Sequence, residues 1–328
     1  MVRETELLAI VRRRASLLRR LATAPARPSA LTTELELSRS TIDRGLSELQ
    51  RAALIERATV DGQCQYRLTV AGDLALSSFE QLSDRLTQAT RRSELLAELP
   101  PSADLSWHVL DGATAVTAAT EPAQVAESLS IETELEFESL ASETAAAERP
   151  GGDAEGADAE PGRLESILSA LLRLGSVHQV VVPGPTHCLA SAYCEALAGG
   201  GVGVVESADG KKREPGVKTV EVIAPQDAIQ VLLSTFGAGT ASALAADQLV
   251  LHETTQPPAY GLVSVELDAE PPETEPAALT ILLVCDGGGP SDELCGLLVN
   301  DSPDAAEWAR DRIASLTETA QRLSMPSE

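Results

Sequence analysis

At 328 residues, with 43% hydrophobic content and a formal net charge of −25, the chain is long enough for two domains with packed cores. No run approaches the ~18 apolar residues of a membrane span, and the N-terminus MVRETELLAIVRRR lacks the basic start, apolar middle and cleavage site of a signal peptide. The five cysteines (Cys64, Cys188, Cys194, Cys285, Cys295) are scattered and form no CxxC, so neither a disulfide framework nor a zinc ribbon is indicated and a reduced, cytoplasmic protein is expected.

Residues 5–22 predict a helix, with Leu7, Leu8, Val11, Leu17, Leu18 and Leu21 near a 3.6-residue period, ended by Pro25 and Pro28. A short helix is expected over 29–35, then a turn in LELSRS (35–40) and a helix over 39–53. Gly62 lies between two short β-like runs as a hairpin tip. A long helix is predicted over 73–99, where Phe79, Leu82, Leu86 and Ala89 recur at 3-4-3 spacing and form a narrow seam of coiled-coil type. IETELEFE (131–138) alternates strictly between apolar or threonine positions and glutamates, as a half-buried strand does. Residues 141–163 hold no apolar residue except alanine, and read as a disordered acidic insertion.

LESILSALLRL is then a helix, VHQVVVP a buried strand, PTHCLASAYCEALAGG a helix and VGVVES another strand. This β-α-β run predicts a parallel unit. LVLHE, YGLVSVEL, LTILLVC and LCGLLVN supply further strands, and Ser302-Pro303 starts a final helix that turns Trp308, Ala309 and Leu316 to the core. The expected fold is an α+β helix-turn-helix domain with a hairpin wing (1–72), followed by an α/β domain. Between them lie the 73–99 linking helix, a 100–140 segment that starts the second domain and the 141–163 insertion, with 164–328 as the α/β body.

The charge divides along the same line. Residues 1–95 hold 15 Arg and 12 Asp+Glu, a net of +3, whereas the remaining 233 residues carry −28. A mildly basic segment on an acidic chain predicts an anionic partner for that segment.

The segment 30–72 points to double-stranded DNA as that partner. A helix-turn-helix needs a support helix, a tight turn and a second helix whose outer face is small and polar, because the major groove admits one helix. Ser38 can cap the second helix, and Ile42, Leu46 and Leu49 make its buried stripe. Arg39, Ser40, Thr41, Asp43, Arg44 and Ser47 are left for DNA: arginine can fork onto guanine, and hydroxyls suit phosphates or several base edges. From the hairpin, Arg57, Gln63, Gln65 and Arg67 can reach the backbone or minor groove. A homodimer joined through Phe79, Leu82, Leu86 and Ala89 would set two such helices about one turn apart on a palindromic operator.

RRRASLLRRLA, LSRSTIDRGLSELQRAALIER and YRLTVAG resemble archaeal winged-helix regulators with a helix-turn-helix related to the ArsR and MarR types. PAYGLVSVE, LTILLVCDG and CGLLVNDSPDAAEWA resemble the C-terminal domain of the archaeal methanogenesis regulatory protein. The resemblance spans most of the chain outside 139–163 and implies a transcription regulator. Gly45 stands where the family more often has alanine, a change that weakens a helix by roughly 1 kcal/mol. Three lysines against 22 arginines, with 2% aromatics, resemble the surface chemistry of salt-in halophiles; an acidic mesophile is the alternative.

The four histidines (His108, His178, His187, His252) show no metal spacing. His187 and Cys188, with Cys194 and His178, could form a metal or redox sensor, but Cys188 and Cys194 at i, i+6 lie on different helix faces. Small buried thiols and a satisfied histidine are the simpler reading. Gly199–Gly201 and Asp286–Gly289 lack the strand-loop-helix order and GK[ST] of a phosphate loop, and no GxSxG occurs. No catalysis, cofactor or metal is expected, and the α/β domain is read as binding a small effector or mediating assembly. The alternative is an α/β enzyme, or a protein-interaction protein, with an accessory winged helix.

Overall fold

The computed structural model describes residues 4–60, 63–129, 162–185, 189–190, 192–193, 205–206, 212–213, 217–245, 248–267, 278–285 and 294–323. The expected strand 131–138, the insertion over 141–161, Gly62, His187, Cys188 and Cys194 lie outside the described residues. The chain divides into two compact units, 1–90 and 91–328.

In the first unit, α1 (Glu4–Thr23), α2 (Pro28–Glu34) and α3 (Arg39–Arg51) precede a hairpin of β1 (Ile55–Val60) and β2 (Gln63–Leu68), and α4 (Val70–Arg91) closes the unit. The 3.6-residue apolar period has a direct physical outcome. Val11, Leu17, Leu18 and Leu21 of α1, Leu31 of α2, and Ile42, Leu46 and Leu49 of α3 converge with Leu54, Ile55, Tyr66 and Leu76 in one core. Tyr66 also exchanges backbone hydrogen bonds with Ala26, at 2.8 and 3.0 Å, so the segment between α1 and α2 adds a bridge to the hairpin.

Two sequence expectations change here. The long helix begins at Val70 instead of 73 and ends at Arg91, with a separate α5 (Ser93–Ala97) after Arg92. Arg92 has left the helical backbone (φ −103°, ψ 10°), and its guanidinium donates to the carbonyls of Leu110, at 2.9 Å, and Ala113. Those bonds belong to the second unit, so tertiary contacts end a helix that local propensity would continue. The helix start is set by Thr69, whose hydroxyl accepts from Gly72 N–H at 3.0 Å.

The second unit is built on an eight-stranded mixed sheet: β3 (Thr114–Val116), β4 (Gly175–Val181), β7 (Thr219–Ala224), β8 (Leu249–Glu253), β9 (Gly261–Leu267), β10 (Ala278–Cys285), β11 (Leu294–Asn300) and β12 (Gln321–Arg322). Their order is β12-β8-β7-β4-β9-β10-β11-β3, and only β4–β7 and β7–β8 are parallel. A separate two-stranded pair joins β5 (Val205–Glu206) to β6 (Lys212–Arg213). The parallel partner expected for VHQVVVP was VGVVES. It is instead Thr219–Ala224, and Val205–Glu206 of VGVVES pairs with Lys212–Arg213. The reason is burial: β7 can bury Val220, Val222 and Ala224 on one face and Ile223 on the other.

Apolar side chains cover both sheet faces. One face packs against α7 (Pro122–Ser128), α8 (Arg163–Leu172) and the start of α9 (Gln226–Ala245) through Val125, Ile167, Leu168, Leu171 and Ile229. The other packs against α5, α6 (Trp107–Leu110) and α10 (Pro303–Thr319) through Leu95, Val109, Ala309, Ile313 and Leu316. Gly162 and Arg163, assigned to the insertion from sequence, cap and begin α8, and Arg163 pairs with Glu121 at 3.0 Å. Ser302 caps α10 by accepting from Ala305 N–H. Asn300 fastens the α6 end of this layer: its amide donates to the carbonyls of Val109, at 3.1 Å, and Asp111, at 2.8 Å. No described helix is long and apolar enough to cross a membrane.

Candidate nucleic-acid interface

The turn between α2 and α3 is Leu35–Leu37. Glu36 takes a left-handed backbone (φ 51°), while Leu35 and Leu37 pack on the core beneath it. Ser38 then caps α3, its hydroxyl accepting from Thr41 N–H at 3.2 Å and lying 3.0 Å from Ser40 Oγ and 2.8 Å from Thr41 Oγ1. Three hydroxyls therefore cluster at the positive end of the helix dipole. The buried stripe of α3 is Ile42, Gly45, Leu46 and Leu49.

At 100° per residue, Ser40, Arg44, Ser47 and Arg51 fall opposite that stripe, and all four are exposed. Arg39 and Asp43 flank the row as an i, i+4 pair with Nε 3.9 Å from Oδ2; Arg39 is 87% exposed. Thr41 is half-buried and belongs to the capping cluster. Ser47 donates back to the Asp43 carbonyl at 2.8 Å. Arg51 was not among the residues expected from sequence. Its 4-3-4 spacing from Ser40 was visible there, but its place at the helix end hid it.

Among the hairpin residues, antiparallel register pairs Arg57 with Tyr66 and Glu56 with Arg67. Side chains alternate along a strand, so Arg57 lies on the face opposite Gln65 and Arg67. Gln63 occupies the register position across from Val60. Arg57 donates through Nε to the Tyr66 hydroxyl at 2.9 Å, with its guanidinium 5.5 Å from the ring centroid; the bond to Tyr66 holds its pKa above the ordinary arginine value. Arg67 is engaged by Glu56 at 2.6–2.7 Å. The four expected wing residues are thus split between two faces, and both arginines already have partners.

Gly45 receives a packing explanation. A β-carbon there would lie 2.6 Å from Leu17 Cδ1 and 3.4 Å from Arg14 Cδ, so α1 crosses α3 at this glycine. The stem of Arg14 passes over it to reach Glu48, with Nε 2.8 Å from Oε2. Arg13 takes the other carboxylate oxygen at 3.3 Å.

On the seam of α4, Leu82 and Leu86 are 43% and 56% exposed, Ala89 is half-buried, and Phe79 packs against the core of its own unit. In the second unit, His178 is fully buried, with ring nitrogens 3.0 Å from Tyr193 OH and Gly175 O. Burial holds its imidazole below the ordinary histidine range and Tyr193 well above that of tyrosine. His252 Nε2 lies 3.0 Å from Glu221 Oε1, and Gln179 donates to Glu221 Oε2 at 3.0 Å. Among the described residues no group of three or more His, Cys, Asp or Glu is placed to hold a metal ion.

Residues 2–91 match the family described as the HVO_A0261 N-terminal domain, a span ending within one residue of the boundary between the units. Residues 213–319 match the middle domain of the methanogenesis regulatory protein FilR1, from β6 to the end of α10. No curated protein matches significantly. A solved structure described as that of TrmBL2, "an archaeal chromatin protein" that "shows a novel mode of DNA binding", aligns over 98% of this chain and 100% of its own at 10% identity, with a TM-score of 0.31. The N-terminal match is to the HVO_A0261 domain and names neither the ArsR nor the MarR type. The two matched segments take in the opening helices and hairpin of the first unit and most of the sheet of the second with its last helix.

Proposed function

We propose that this chain is a DNA-binding transcription regulator whose first unit is a winged helix-turn-helix, with α3 as the recognition helix and β1–β2 as the wing. One observation carries the reading: α3 buries an apolar stripe and exposes Ser40, Arg44, Ser47 and Arg51 in a single row, with a hydroxyl-rich, capped N-terminus. The row supplies guanine-reading arginines and phosphate-binding hydroxyls in the width of one helix. The partner is double-stranded DNA. Two copies joined along Leu82, Leu86 and Ala89 bind a palindromic operator. The second unit acts without catalysis, as an effector-binding or assembly domain, and the match of residues 213–319 to the middle domain of a methanogenesis regulatory protein supports this.

The test is enrichment of duplexes from a random-sequence pool by the purified chain, run in parallel from low to multimolar KCl because phosphate contacts weaken with salt, followed by titration of the enriched duplex. The expected result is a defined motif, bound more weakly by the Arg39→Ala/Arg44→Ala variant. Wild-type affinity in that variant would remove α3 from the interface, and failure to enrich any duplex would reject DNA binding.

A further inference from the structure

We propose that Arg14 is a positioning residue for DNA recognition: by holding Glu48 it keeps Arg44 free to meet DNA. This rests on the recognition role of α3 proposed above. Glu48 follows Arg44 by four residues, the spacing at which oppositely charged side chains on a helix pair. Such a pair would neutralise the central arginine of the exposed row. Instead, both carboxylate oxygens of Glu48 are taken from α1, Oε2 by Arg14 Nε at 2.8 Å and Oε1 by Arg13 Nη2 at 3.3 Å. Arg44 is exposed and has no hydrogen bond or ion pair among the described residues.

The same helix contains an internal control. Arg39 and Asp43 have the same i, i+4 spacing, no described α1 arginine pairs with Asp43, and these two side chains approach to 3.9 Å. Where the acid is not captured, the intrahelical pair forms.

The arrangement is built to persist. The Arg14 side chain is only 11% exposed, against 56% for Arg13, so Arg14 is the firm half of the clamp. Its path depends on Gly45, because a side chain there would meet Leu17 and the Arg14 stem. The glycine that weakens α3 as an isolated helix thus opens the route by which α1 reaches Glu48. Glu48 also carries a negative charge on the helix that faces phosphates. Arg13 and Arg14 compensate it without presenting a lysine or arginine on the outer row.

The experiment titrates the enriched duplex with full-length variants, with amide hydrogen exchange of α1 and α3 as the folding check. Arg14→Gln should weaken binding about 2- to 5-fold, the size expected when a surface pair competes for one arginine. Arg14→Gln/Glu48→Gln should restore wild-type affinity, because no carboxylate remains to capture Arg44. In an Arg44→Ala background, Arg14→Gln should change nothing further. If Arg14→Gln loosens the fold, Arg14→Met, which keeps an apolar stem over Gly45 and removes the cation, gives the same comparison. An Arg14 effect of equal size with and without Arg44, or one that Glu48→Gln fails to reverse, overturns the proposal while leaving DNA binding by α3 intact. Failure of the wild type to bind any duplex instead removes the reading on which it rests.

Discussion

A β-carbon on Gly72 would lie 2.0 Å from the carbonyl oxygen of Leu54. That carbonyl also accepts from Thr69 N–H at 3.1 Å, and the Thr69 hydroxyl donates to Ala53 O at 2.8 Å while capping Gly72 N–H. The start of α4 is therefore seated directly on the segment joining α3 to the β1–β2 hairpin. Gly72→Ala should destabilise the first unit by about 1–3 kcal/mol, because the obstructing atom is backbone and cannot rotate away. Both tryptophans, Trp107 and Trp308, lie in the second unit, so fluorescence is blind to this change. Loss of amide protection confined to α1, α3 and the hairpin is the expected outcome; unchanged protection there would refute the seating argument.

The arginines of the first unit should differ in kind. Arg44→Ala is expected to cost about 1–3 kcal/mol of binding free energy and to relax base preference at one position of the motif. Arg67 is held by Glu56, so Glu56→Gln should free a cation for the backbone and steepen the log–log salt dependence of binding by up to about one unit. Anisotropy titrations across a KCl series separate the two. Equal effects on motif and on salt slope would contradict the division of roles.

Leu82 and Leu86 are exposed and outside the core of their own unit, whereas Phe79 belongs to it. Leu82→Asp/Leu86→Asp should therefore leave the melting temperature of the first unit nearly unchanged and convert a dimer to a monomer in light scattering at multimolar KCl. A monomeric wild type, or a variant that stays dimeric, rules out this seam.

Burial holds the His178 imidazole below its ordinary pKa of 6.5, so the folded state keeps it neutral where the unfolded chain would take up a proton. The stability it confers is complete above the unfolded value and declines as pH falls below it toward the lower folded value. His178→Gln should lose stability most at neutral pH, with a deficit that narrows as pH drops below about 6.5. Denaturant titrations of both proteins between roughly pH 7.5 and 5 measure it; a deficit independent of pH would show that the imidazole keeps its ordinary pKa.

The net charge of −25 predicts a melting temperature that rises from about 0.1 to about 3 M KCl, since the Debye length falls to about 3 Å near 1 M and self-repulsion is screened. Circular dichroism melts across that range decide it. A flat or falling profile removes the halophile reading and leaves the interface untouched.

What the sequence determined by itself is whatever depends on local period and local chemistry. The stripe Ile42, Leu46, Leu49 locates the buried side of α3, Ser38 and Ser302 announce helix starts, and the apolar runs LVLHE, LTILLVC and LCGLLVN become β8, β10 and β11. These features rest on backbone geometry and burial, which act within a few residues. Tertiary structure decided the rest. The helix over 73–99 breaks at Arg92 because distant carbonyls capture its guanidinium. The parallel partner of β4 is β7, which buries Val220 and Val222 on one face of the sheet and Ile223 on the other. Gly45 serves α1, not α3, and the charge on Glu48 is cancelled from 34 residues away. An arginine's sequence neighbours state which pairs it can form; which pair it does form depends on competing charges and packing surfaces that only the folded chain brings together.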